Sequence, residues 1–311
     1  MSWKLRSDPE CVLRTLGRDA TIMRVLHPSR LASSAATVSS SASAIYVHLP
    51  FCRRRCFYCD FPIQVVGDRP GAAADAATRY CALLDRELAQ TPATSVPLRS
   101  VYFGGGTPSL TPPRLLGGLL RSLDRRHGLA ADCEVTLEMD PGTFDAAALD
   151  AFVAAGVTRV SLGVQSFDDE LLEACGRVHR VADADGALQL LLGHTQPLSV
   201  SVDLIGGLPH QTLESWQYSL DTAASCGAHH VSVYDLQVEP RTAFGKWFSA
   251  GEEPCVAPIS SPHLPCSPSI SPTRSSTRSL TRSLLPSQAT QRGDRRQHVP
   301  RGLALALGRR L

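Results

Sequence analysis

Residues 157–205 read VTRVSLGVQSFDDELLEACGRVHRVADADGALQLLLGHTQPLSVSVDLI, and their pattern decides the fold class. Val157 to Val164 is strand-like, Asp168 to Cys175 and Ala182 to Leu192 are helix-like, and Leu198 to Ile205 is a strand again. Strand, helix and strand in this succession build a parallel sheet. The alternation continues outward on both sides. Upstream, Ile45 to Leu49, Val101 to Phe103 and Glu134 to Glu138 read as strands, with helices over Ala72 to Ala89, Arg114 to Arg126 and Asp145 to Ala155. Downstream, Leu213 to Cys226 is an amphipathic helix and His230 to Leu236 a last strand. About six β/α units fall short of the eight that close a barrel. The expected fold is therefore α/β, a partial (β/α)6 barrel over residues 44–250. Ligands in such folds collect at the carboxyl ends of the strands.

The flanks differ in composition. Residues 1–43 carry Lys4, Arg6, Arg14, Arg18, Arg24 and Arg30, and pass into Ser/Ala-rich sequence without acids. Arg-rich, Ser-rich, acid-poor N-termini have the character of organellar transit peptides. Asp8, Glu10 and Asp19 argue for an irregular extension instead, and both readings stay open. Residues 251–311 hold eight prolines, ten serines and nine arginines, with Thr-Arg-Ser recurring at Thr273, Thr277 and Thr281. That is low complexity, expected to be disordered.

Bulk composition excludes several classes. The 311 residues have a net charge of +2 and are 19% charged, too balanced for a chain that binds nucleic acid by phosphate neutralisation. A hydrophobic fraction of 43% excludes wholesale disorder. No apolar run is long enough for a membrane-spanning helix. Ten cysteines in a chain this long are no disulfide scaffold, and three of them crowd together at Cys52, Cys56 and Cys59.

That crowd lies in the run YVHLPFCRRRCFYCDF, residues 46–61, directly after a strand. A structural zinc site needs four closing ligands, and no second cysteine knuckle follows. In a cubane of four irons, three thiolates leave one iron without a protein ligand, free to chelate an amino and a carboxylate group. Arg53, Arg54 and Arg55 would favour thiolates and offset the charge of a cluster. The plain alternative, three thiols packed near one another by chance, does not call for this spacing. His48, alternating with Tyr46 on the strand, could tune a cluster, donate a proton, bind haem or merely pack.

The C-x3-C-x2-C spacing, with Tyr58 before the last cysteine, resembles the radical S-adenosylmethionine superfamily. With VYFGGGTPSL, LEMDPGTF, VSLGVQSFDDELLEACGRVHR, VDLIGGLPHQTLESW and HHVSVYDLQVEPRTAF in order, residues 44–248 resemble its HemW group. These proteins are related to the oxygen-independent coproporphyrinogen III oxidase and regarded as haem chaperones, with an animal mitochondrial member. The oxidase carries a further cysteine two residues beyond the third ligand, where this chain has Phe61, which favours the HemW side. The group continues into a C-terminal domain with a haem-binding motif, and this chain leaves that frame near Phe248. An alternative transcript or a misjoined gene is the expectation.

The resemblance implies a [4Fe-4S] cluster on Cys52, Cys56 and Cys59. It implies S-adenosylmethionine bound by Tyr46, Gly105, Gly106, Thr107, Glu138, Gln165, Arg177 and Asp203. The Gly104-Gly105-Gly106 turn by itself is weak, although consecutive glycines let backbone approach a ligand. A carboxylate suits ribose hydroxyls or an ammonium, and a guanidinium suits a carboxylate. Reduction of the sulfonium by such a cluster yields a 5′-deoxyadenosyl radical. The role implied is haem handling, with haem passed to an acceptor protein and an electron donor serving the cluster, in mitochondria or alternatively the cytoplasm. Two alternatives stand beside it: a coproporphyrinogen dehydrogenase-like radical enzyme, and an isoform that lost haem binding with its C-terminal domain.

Overall fold

The computed structural model describes residues 20–23, 42–248 and 304–308. In chain order the strands and helices are β1 (Ala20–Met23), β2 (Ala44–Leu49), β3 (Phe51–Cys52), β4 (Gln64–Val65), α1 (Ala72–Gln90), β5 (Leu98–Gly105), α2 (Pro113–His127), β6 (Leu129–Met139) and α3 (Ala146–Ala154). Then come β7 (Arg159–Gln165), α4 (Asp169–Ala174), α5 (Val181–Leu192), β8 (Ser199–Gly206), α6 (Leu213–Ser225), β9 (His230–Asp235), α7 (Ala243–Trp247) and β10 (Ala304–Gly308). One sheet runs β1-β2-β5-β6-β7-β8-β9-β10, every ladder parallel. Its linear order leaves the barrel open, and β2 with β5 to β9 forms the partial (β/α)6 core.

Each core strand alternates. Ile45, Val47 and Leu49 on β2 are buried, as are Val101 and Phe103 on β5, Val160 and Leu162 on β7, and Val200, Val202 and Leu204 on β8. This apolar face meets the helices, through residues such as Leu84, Leu116, Leu120, Phe152 and Leu188. The opposite face carries Tyr46, Tyr102, Thr136, Glu138, Ser161, Ser201, Asp203 and Ser232, an uncommonly polar interior for a barrel. Local chemistry sets the helix starts. Asp145 accepts from the Ala148 amide at 2.8 Å, Asp168 from Glu170 at 2.9 Å, and Thr212 from Ser215 at 3.1 Å. Gly128 at φ 73° ends α2.

Three points differ from the sequence reading. Both extensions, 1–43 and 251–311, contain a short strand, β1 and β10, each laddered onto an edge of the core. An edge strand offers unpaired backbone groups to any extended segment, whatever its composition. Apart from Ala42 and Ser43, the rest of both extensions lies outside the described residues. The strand read at Val101 to Phe103 runs from Leu98 to Gly105, and that read from Glu134 starts at Leu129, because ladder pairing recruits polar residues at its ends. Finally, α7 and the β3–β4 pair were not foreseen. No helix among the described residues is long and apolar enough to cross a membrane.

Candidate metal and cofactor site

A cavity of about 270 Å3 opens at the carboxyl ends of the core strands. Cys52, Cys56 and Cys59 border it on one side, Gly105, Gly106, Thr107, Glu138, Gln165, Arg177 and Asp203 on the others. Ten of the eleven residues singled out by sequence and resemblance thus meet around one space. Tyr46 stands one layer back, stacked on Tyr102 at 5.8 Å with its hydroxyl 3.4 Å from His48 Nδ1.

The cysteine loop is fastened by backbone. The Val66 amide donates to Cys52 O at 2.9 Å, Cys59 to Cys56 O at 3.1 Å, and Thr107 to Phe51 O at 2.7 Å. The Phe57 amide donates to Cys175 O and Phe244 to Phe57 O, at 2.9 and 3.0 Å. Aromatic packing from α7 backs the loop, with Trp247 4.8 Å from Phe57 and Phe244 6.5 Å from Tyr58, ring to ring.

Of the three arginines between the thiols, Arg55 favours the Cys59 thiolate as expected, and all three also make structural contacts. Arg55 donates to the carbonyls of Cys59 and Phe61 at 3.0 Å and of Ile63 at 3.4 Å, tying the loop to itself. Arg54 pairs with exposed Asp68 at 3.6 Å, and Arg53 reaches Gly142 O at 3.5 Å. The guanidinium that touches a thiol is Arg177, whose Nη1 lies 3.4 Å from Cys56 Sγ. Its cationic form is opposed by burial but upheld by Asp140, Tyr58 and Cys56, so its pKa is raised.

The glycine turn serves packing before it serves any ligand. At φ 120°, Gly105 turns its missing Cβ toward the His48 ring, 2.5 Å away. A Cβ on Gly106 would meet the backbone of Pro50 and Phe51 at 2.7 Å. Glycine is required here because β5 must pass close under the cysteine loop. The Gly105 amide is already engaged, donating to Glu138 Oε2 at 2.9 Å.

Glu138 is half-buried in the cavity wall, and its other oxygen accepts from the Tyr102 hydroxyl at 2.8 Å. Burial pushes its pKa up to about 7, against the lowering effect of the two hydrogen bonds, and Asp203 and Asp140 add to the rise. Asp203 is raised too, mainly by burial, and accepts from Ser161 at 2.7 Å. Gln165 sits at φ 69°, where the β7–β8 register slips between Gly163 and Gln165. A non-glycine residue held in the left-handed region is strained, a condition found most often at functional sites.

Sequence reasoning missed Asp140, which borders the cavity, pairs with Arg177 at 2.7 Å and lies 3.2 Å from the Thr107 hydroxyl. Its signal was its place, directly after Met139 at the end of β6 in the quoted LEMDPGTF segment. His179, given no role from sequence, is buried beside Arg177. His48 donates from Nε2 to Pro62 O at 3.1 Å, a bond across the cysteine loop.

The side chains fit an iron–sulfur cluster. Among the described residues no three His, Cys, Asp or Glu converge as a single ion would need. What the three thiols share is the edge of a cavity. Burial pushes the Cys52 thiol up to about 12 and raises Cys59, so a thiolate there needs a metal to hold it. Arg177 Nε is buried without a hydrogen-bond partner, a donor left over for an anionic group.

Comparison with known proteins agrees. Residues 46–223 match the Radical SAM superfamily. The chain is 45% identical over 210 residues to a haem chaperone, HemW, of Synechocystis, covering 68% of this chain and 51% of that protein. It is 38% identical over 221 residues to the mitochondrial radical S-adenosyl methionine domain-containing protein 1 of Bos taurus, covering 70% and 48%. Among solved structures it is similar to the coproporphyrinogen III oxidase HemN of Escherichia coli, with a TM-score of 0.57 and 28% identity over 65% of this chain and 45% of that one. The chain thus spans about half the length of the curated relatives it matches. On its fold, its cysteine loop and this match, the chain belongs to the radical SAM superfamily.

Proposed function

We propose that the chain is the radical S-adenosylmethionine portion of a haem-handling protein, a haem chaperone that passes haem to an acceptor protein. Cys52, Cys56 and Cys59 would hold a [4Fe-4S] cluster. Gly105, Gly106, Thr107, Glu138, Gln165, Arg177 and Asp203 would hold S-adenosylmethionine, with Tyr46 supporting them from behind. The observation that carries the reading is that three thiols from one loop and four polar residues from four other segments border the same cavity. Together the two groups supply one-electron reductive cleavage of a sulfonium.

This chain's own residues would do the rest. Arg177 offers a buried cation and a spare Nε–H for a carboxylate. Glu138 and Asp203 offer carboxylates to an ammonium or to hydroxyls. Tyr58, packed with Phe57 against α7, would wall the site on one side. The haem assignment rests on likeness to the HemW proteins. A mitochondrial location is supported by the Bos taurus relative's name and by the Arg- and Ser-rich residues 1–43.

A second reading, a coproporphyrinogen dehydrogenase-like radical enzyme, draws on the likeness to the oxidase structure. Anaerobic reconstitution followed by haem titration and product analysis tests both. A Soret change without release of 5′-deoxyadenosine supports the chaperone. Turnover of coproporphyrinogen with 5′-deoxyadenosine release supports the enzyme. A chain that holds its cluster but neither binds haem nor turns over would contradict both readings.

A further inference from the structure

Arg177 is held from more sides than a salt bridge requires. Its Nη2 donates to Asp140 Oδ1 at 2.7 Å and Gly163 O at 2.8 Å, and faces His179 Nδ1 at 3.4 Å. Its Nη1 reaches Cys56 Sγ and Tyr58 Oη, both at 3.4 Å. The side chain is only 7% exposed.

The tautomer of His179 follows from its other contact. Nε2 lies 3.1 Å from Val164 O, and a carbonyl can only accept, so Nε2 carries the proton. Nδ1 is then a lone pair turned toward the guanidinium. Burial and Arg177 push the pKa down to about 4, keeping the ring neutral and the lone pair available at ordinary pH.

Asp140 joins both branches of the cysteine loop. One oxygen holds Arg177, which touches Cys56, and the other lies 3.2 Å from Thr107 Oγ1, itself 3.6 Å from Cys52 Sγ. A second cavity of about 240 Å3, bordered by Arg53, Gly142, His179 and Asp183, also has Asp140 and Arg177 in its wall. The pair therefore stands between two spaces into which a loose guanidinium could swing.

We propose that Asp140 and His179 are positioning residues for Arg177, fixing its guanidinium against the Cys56 thiol so that it receives the anionic end of the cosubstrate beside the cluster. The proposal rests on the reading of the site given above. Its physical basis is preorganisation. A free arginine has much rotamer entropy to lose, and a ligand that need not immobilise it binds more tightly. Asp140 and the Gly163 carbonyl take the two Nη2 hydrogens, and the neutral His179 lone pair shares one of them from 3.4 Å, without the second carboxylate that would neutralise the cation meant for the ligand.

The test uses the full chain, anaerobically reconstituted, with three readouts: iron content, the Kd for S-adenosylmethionine, and the electron paramagnetic resonance of the reduced cluster. R177A sets the scale. With iron retained, D140A and H179A should each weaken binding, by about tenfold and about threefold, as expected for loss of a charged and of a neutral hydrogen bond. H179N, whose amide oxygen can replace the Nδ1 acceptor, should recover most of the loss, which a merely structural role would not give. In an R177A background, D140A should add nothing to the Kd, since a positioning residue has no work without its target. Wild-type Kd and spectrum in both D140A and H179A, or a full additive loss in the double variant, overturns the proposal. Wild-type binding by R177A itself overturns the site reading beneath it, a distinct result. If D140A fails to hold iron, D140N and the two His179 variants decide.

Discussion

Replacing Glu138 by Gln tests the electrostatics of the site without emptying it. The carboxyl is half-buried in the cavity wall, bonded to Tyr102 and Gly105 of β5, and desolvation raises its pKa from an ordinary 4.5 to about 7. At about 1.4 kcal/mol per pH unit, keeping it ionised costs the fold about 3 kcal/mol above pH 7. The sign is that of a raised pKa: the native state holds the proton longer than the unfolded chain. Stability should therefore fall as pH climbs from 4.5 to about 7 and level off beyond. Gln keeps an acceptor for the Gly105 amide, and its NH2 can meet the Tyr102 oxygen, so hydrogen bonding is largely preserved. E138Q should be about 1–3 kcal/mol more stable than wild type at pH 8 and nearly equal to it at pH 4.5. Urea denaturation of the cluster-free chain across this range measures it, and the difference between the two proteins cancels all other titrating groups. The same carboxylate should favour a cationic ligand once ionised, so S-adenosylmethionine should bind wild type about tenfold tighter at pH 8 than at pH 6, and E138Q with no such slope. Parallel stability profiles for the two proteins would refute the argument that Glu138 is held by desolvation.

Each of C52A, C56A and C59A should abolish the cluster, as measured by iron and sulfide content, because each removes one iron's thiolate; an unchanged content in any of them would refute that ligand. F244A empties a fully buried site behind the cysteine loop, and should cost about 3–5 kcal/mol and lower iron retention, read by denaturation and metal analysis. Gly105 to Ala sets a side chain at φ 120° against the His48 ring and should destabilise by at least 1–3 kcal/mol, roughly, even before any ligand is added.

The order of strands and helices was legible because the apolar face of every core strand repeats and the helices between carry their own spacing. The meeting of Cys52, Cys56 and Cys59 with Glu138, Gln165, Arg177 and Asp203 was legible only with the resemblance, since each polar residue by itself has an ordinary explanation. The contacts between distant segments were not legible. Nothing local says that Arg177 will reach Cys56, 121 positions away, or that Asp140 will hold it. The arginines inside the cysteine loop were legible in part: Arg55 favours the Cys59 thiolate as local charge suggests, but its hydrogen bonds to the loop's own carbonyls were not foreseen. The glycines were read as letting backbone approach a ligand; Gly105 and Gly106 do border the cavity, and their missing side chains also make way for His48 and for the backbone of Pro50 and Phe51, which was not foreseen. Strands β1 and β10 escaped notice because edge pairing depends on backbone more than on side chains.

The most direct measurement is the electron paramagnetic resonance of the reconstituted, reduced chain before and after adding S-adenosylmethionine. The account predicts about four irons per chain, a reduced-cluster signal, and a shift of that signal when the cosubstrate reaches the iron that no cysteine holds. Iron that loads without such a signal, or a spectrum indifferent to S-adenosylmethionine, would contradict it.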